Sequence, residues 1–95
     1  MKQLIWKSNK QKTYDDDIKC YAFCSDLKNT RYLAANIRHF RKPNYLRVNV
    51  FSPFKQIAVK DFFDEGCGLA ALLQKAKKYA ESKTDQYLTE ELIKS

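Results

Sequence analysis

Three cysteines, one histidine and a few acidic groups are the residues here with intrinsic reactivity. Cys20 and Cys24 stand four apart. On a strand that spacing shares a face but separates the thiols by about 13 Å, too far for a disulfide. His39 alone cannot complete a zinc set with them, so both are predicted to be small buried hydrophobes. Cys67 falls near a helix start, where a thiolate would be favoured. No second histidine exists to make a Cys-His pair, so packing is its predicted role. Asp15–Asp17 could hold a divalent cation, yet adjacent carboxylates in a polar loop are ordinarily solvated. Asp64 and Glu65 precede a helix and suit its dipole, with Asp64 as N-cap. Gly66 and Gly68 lack the Gly-Lys-Ser/Thr of a phosphate loop. His39 is placed on the core side near a strand end, a structural position. No nucleophile, base and orienter assemble. The chain is predicted to be no enzyme, with no cofactor and no metal.

Charge says more. The 95 residues carry 18 Lys+Arg against 11 Asp+Glu, a net +7. From Leu27 to Lys60 there are thirty-four positions without one Asp or Glu, and all four arginines lie among them. Such a block suits a polyanion, whose bound counterions are released by Lys and Arg. The plainer reading is a solvated basic surface.

These residues must be positioned by strands and a helix. Lys2–Lys7, Ile18–Ser25, Tyr32–Phe40 and Tyr45–Ser52 read as strands. Asp26–Thr30 is a turn. Arg41–Asn44 is a four-residue hairpin connection containing Pro43. Phe54–Lys60 is a fifth strand or an extended lead. Leu69–Ser82 is the clearest helix, with Leu69, Leu72, Leu73, Ala76, Tyr79 and Ala80 as its apolar stripe. Thr84–Lys94 is a short second helix or a tail. The expected fold class is α+β: a single antiparallel sheet of four strands (three to five) followed by a C-terminal helix packed on one face. One domain spans 1–95, with sheet to residue 62, main helix over 64–82 and the remainder from 83. No apolar run approaches the roughly 20 residues that span a bilayer, and Met1–Trp6 does not read as a signal peptide. A cytoplasmic, membrane-free protein is expected.

Strand alternation sorts the side chains into two rows. Leu33, Ala35 and Ile37 fall on one side with Leu46, Val48 and Val50, and with Ile18, Cys20, Ala22 and Cys24. The other side collects Tyr32, Ala34, Asn36, Arg38 and Phe40, then Tyr45, Arg47, Asn49 and Phe51, then Lys19, Tyr21 and Phe23. With Phe40 opposite Tyr45, Arg38 meets Arg47 and Asn36 meets Asn49. Like charges directly opposite destabilise a sheet. Two facing arginines with no nearby acid in sequence suggest an anion between them, which the planar guanidinium fork suits. The candidate nucleic-acid-binding residues are therefore Lys19, Tyr21, Asn36, Arg38, Phe40, Arg41, Lys42, Tyr45, Arg47, Asn49 and Phe51. Rings among cations suit base stacking; Arg and Asn also suit groove reading. DNA versus RNA, and single strand versus duplex, stay open. Against this, aromatic strand faces usually pack against something, and a one-residue slip would exchange the faces.

At the level of topology, Arg31–Arg38, the following strand and Phe63–Ser82 resemble the integrase-arm DNA-binding domains, with Tyr32 where a tryptophan is expected. The strand count is equally similar to that of PUR-type single-strand binders, which usually act as dimers. That likeness implies nucleic-acid binding and allows a homodimer. The alternative function is a small regulator of phage or mobile-element type that binds and inhibits a host protein.

Overall fold

The computed structural model describes residues 4–8, 18–41 and 44–94. Five strands, β1 (Ile5–Ser8), β2 (Ile18–Ser25), β3 (Arg31–Arg41), β4 (Asn44–Phe51) and β5 (Gln56–Phe63), precede one helix, α1 (Leu69–Lys94). The strands form a single antiparallel sheet in the order β1-β2-β3-β4-β5. This is the α+β plan read from the sequence; the segment expected as a fifth strand or an extended lead, Phe54–Lys60, is strand from Gln56 and runs on to Phe63. Asp15–Asp17 and Lys42 lie outside the described residues.

Short connections force the meander. At Asp26–Thr30 the Asp26 carboxylate accepts from the amides of Lys28 and Thr30, both at 2.8 Å. Asn29 adopts φ 64° there, a left-handed conformation that asparagine tolerates. Arg41 pairs with Asn44, so the β3–β4 connection is two residues and not four. The register Phe40–Tyr45 is nevertheless the one expected. Between β4 and β5, the Ser52 hydroxyl accepts from the Phe54 and Lys55 amides and donates to the Lys55 carbonyl.

The helix lies chiefly over β4 and also touches β3 and β5. Its buried row is Leu72, Ala76, Ala80, Thr84 and Leu88, a strict i, i+4 series on one face. The row passes through Ser82–Asp85 without interruption, because no Gly or Pro occurs between Leu69 and Lys94. The expected break near residue 83 is therefore absent, and one 26-residue helix replaces helix plus tail. At 1.5 Å per residue it is about 39 Å long, close to the 43 Å longest extent of the molecule. No helix among the described residues is long and apolar enough to cross a membrane.

Small residues on both surfaces let helix and sheet approach closely: Ala22, Ala34, Ala35, Ala76 and Ala80 are all at 0% exposure. Ile37, Leu46, Val48 and Val50 supply the larger volume. Cys20 and Cys24 are buried among them with free thiols, as the spacing suggested. Burial pushes the Cys20 thiol up, against the pull of Lys77.

Two bulges correct the expected rows. Ala22 pairs with Ala35 but Phe23 pairs with Leu33, so Ala34 is an extra residue in β3. Beyond it the faces exchange. Tyr32 turns to the covered side opposite Cys24; burial, then the neighbouring Cys24, pushes its phenol well up. Leu33 turns to the other side and is 41% exposed. A second irregularity lies between Ile18 and Cys20, and it is Ile18 that pairs with Arg38, leaving Lys19 as an exposed bulge residue. Leu69, expected in the helix stripe, is exposed at the first turn.

Candidate nucleic-acid interface

One face of the sheet carries the helix. The opposite face has no described element over it. Eight of the eleven candidate residues stand on that open face: Asn36 opposite Asn49, Arg38 opposite Arg47 and Phe40 opposite Tyr45 in the expected β3–β4 register, with Phe51 at the end of β4 and Tyr21 of β2 opposite Asn36. Lys19 sits at its bulge. Arg41 closes β3 against Asn44.

At one end, cross-strand rings form a ladder. Phe40 and Tyr45 stack at 4.9 Å with 11° between planes, and Tyr45 and Phe63 follow at 5.0 Å and 33°. Offset stacking at such separations adds about 0.5–1.5 kcal/mol per pair beyond area burial. The Arg47 guanidinium lies 5.2 Å from the Phe40 centroid and 5.8 Å from that of Tyr45. Toward the other end, Tyr21 meets Phe23 edge-to-face at 5.6 Å. Arg31 lies over Phe23 at 4.4 Å and Lys7 at 5.7 Å. Between the two groups runs a belt of amides. Gln56 Nε2 donates to Asn49 Oδ1 at 2.9 Å, and Asn49 Nδ2 donates to Asn36 Oδ1 at 2.8 Å. Each amide satisfies the next, which holds three strands in register.

No acid is near the paired arginines in sequence, but the fold brings one to them. Asp61 of β5 pairs with Arg47. Arg47 Nε donates to Asp61 Oδ1 at 2.8 Å and Nη2 to Oδ2 at 3.2 Å. The hydrogen bond from Arg47 holds the Asp61 carboxyl below its usual range. The repulsion between Arg38 and Arg47 is thus offset from within the fold. Arg47, Asn49, Gln56, Val59, Lys60 and Asp61 line a shallow hollow of about 400 Å³. Asp61 is the one acidic side chain among the described strand residues of this face.

Alternation places Phe23 in this row without making it a candidate, and sequence reasoning misses Lys7, Arg31, Gln56, Asp61 and Phe63 as members of the site. The alternation Val59, Asp61, Phe63 was the available signal. It was obscured because Asp61–Glu65 also reads as an acidic cluster before a helix. Asp64 is no direct N-cap either. Its carboxylate accepts from the Gly66 amide at 3.0 Å and the Gly68 amide at 3.4 Å. The Gly68 carbonyl accepts the first helical bond from Leu72, so Gly68 holds the cap position, at φ 87°. His39 Nε2 donates to Asn44 Oδ1, and Asn44 Nδ2 donates to Asp64 Oδ2 at 3.1 Å. Cys67 is exposed in the intervening loop. Among the described residues no His, Cys, Asp and Glu gather into a metal-sized group.

Comparison with protein-family models, with curated proteins and with solved structures returns no match for this chain.

Proposed function

We propose that this chain is a non-enzymatic nucleic-acid-binding module that works through its open sheet face. The observation that carries the reading is the facing pair Arg38 and Arg47 on internal strands, on the sheet face that no described element covers. Arg31 and Lys7 add positive charge to the same face, and five rings lie among these cations. Cations supply backbone affinity through counterion release, and rings supply base contacts. The three free thiols fit a reducing compartment such as the cytoplasm.

A titration by fluorescence anisotropy, with labelled oligonucleotides at two salt concentrations, tests this. Affinity should fall steeply with salt. The Arg38→Ala, Arg47→Ala double variant should lose at least about tenfold at low salt and flatten the salt slope, with an unchanged circular dichroism spectrum. Undetectable binding at low salt would sink the proposal.

Two observations favour a second reading, a regulator docking on a protein. Asp61 already neutralises Arg47. Ile5, Leu33, Val59 and Phe63, all on the open face, are 41–62% exposed, as an apolar protein contact would require.

A further inference from the structure

Arg38 and Arg47 lie inside the sheet and not at its rim. Strands are about 4.8 Å apart, so the five span roughly 19 Å between the outer axes. The major groove of B-DNA is about 12 Å wide and admits a helix or a two-stranded ribbon. A sheet of this width meets the phosphate walls before its central arginines reach a base edge. The minor groove, about 6 Å wide, is closed to it more firmly. A single strand has no such walls.

The ring positions point the same way. Phe63 has one ring neighbour, Tyr45, tilted by 33°, and is 51% exposed. Tyr21 meets Phe23 only edge-to-face. The register puts Tyr21 in line with Asn36, Asn49 and Val59 across β2 to β5, and Phe63 four residues beyond Val59. Three strand spacings and four residues of rise separate Tyr21 from Phe63 by about 20 Å on the diagonal. Arg38 and Arg47 stand on that diagonal, two residues along from Asn36 and Asn49. Base steps in a stacked helix are about 3.4 Å. The two rings are thus about six base steps apart, and a base seated on either must expose its face, which a single strand allows freely and the interior of a duplex allows only by unpairing or unstacking.

We propose that the ligand of this face is a single-stranded nucleic acid, laid diagonally across the sheet. One base stacks near Tyr21 and another extends the ladder at Phe63. Arg38 and Arg47 meet the intervening phosphates, with Asp61 competing for Arg47. This rests on the nucleic-acid reading above and deepens it.

The test measures affinity for oligothymidylate, for oligouridylate and for a duplex, each about 12 nucleotides or base pairs long, at one low salt concentration. At least one single strand should bind about tenfold tighter than the duplex; the two single-stranded arms separate DNA from RNA. Tyr21→Leu and Phe63→Leu should each weaken single-strand binding about tenfold and leave duplex binding unchanged, with thermal melting as the control for folding. Duplex binding equal to or tighter than both single strands overturns the proposal while the nucleic-acid reading stands. Unchanged affinity in both leucine variants overturns it as well. No binding by any of the three overturns both.

Discussion

Ile37 and Arg38 are neighbours in β3 and belong to opposite worlds. Ile37 is fully buried beneath the helix, in a row of aliphatic residues and alanines. Arg38 stands on a face of rings, amides and guanidinium groups that no described element covers. The covered face is held vertically, by apolar surface removed from water at about 25 cal/mol per Å². The open face is held laterally, by the ring ladder, the amide belt and the Arg47–Asp61 pair. Side chains that satisfy one another sideways can remain exposed without a lid. A sheet so built is stable on one side and available on the other.

Breaking the covered side should have the larger effect on stability. Ile37→Ala removes volume from a site that cannot collapse freely, and about 2–5 kcal/mol should be lost in urea unfolding. The protein that remains folded should bind nucleic acid normally. Overpacking comes next. Ala80 is fully buried against the sheet, so Ala80→Leu should cost about 1–3 kcal/mol by forcing helix and sheet apart.

On the open side, Arg38→Ala should change stability by less than about 0.5 kcal/mol while reducing oligonucleotide affinity. A large stability loss without an affinity change would erase the distinction between the faces. Asp61→Asn should do the reverse and raise affinity a few-fold, because it removes the acidic side chain beside Arg47. The pH dependence of this pair has a definite sign. The folded carboxyl of Asp61 titrates below its ordinary 3.8, owing first to the hydrogen bond from Arg47. The pair's small stabilisation is thus complete above that ordinary value and is lost as pH falls through the lower folded one. Acid denaturation of Asp61→Asn should therefore lack this component, the smallest of the expected effects.

Much of this arrangement was legible in the chain. The period-2 rows of β3 and β4 fixed which residues share a face, since a one-residue slip would expose Val48 and bury Arg47. Hence Arg38 opposite Arg47 and Asn36 opposite Asn49 followed from alternation and a short connection alone. The bulge at Ala34 was not legible. Leu33-Ala34-Ala35 is apolar throughout, and nothing local shows which of the three is unpaired. Alternation alone therefore places Tyr32 on the open side.

The sequence by itself determined the strands, their alternation and the concentration of arginine in an acid-free block, because these depend on neighbours two to four residues away. Tertiary structure alone decided three things. It brought Asp61 to Arg47 from fourteen residues along the chain. It kept the helix unbroken past residue 83, because Thr84 and Leu88 find a sheet to pack on. It also left one face without a described element over it, since the single helix lies on the other side of the sheet. Each is a contact between distant segments, whose energy appears only once the chain has folded back on itself.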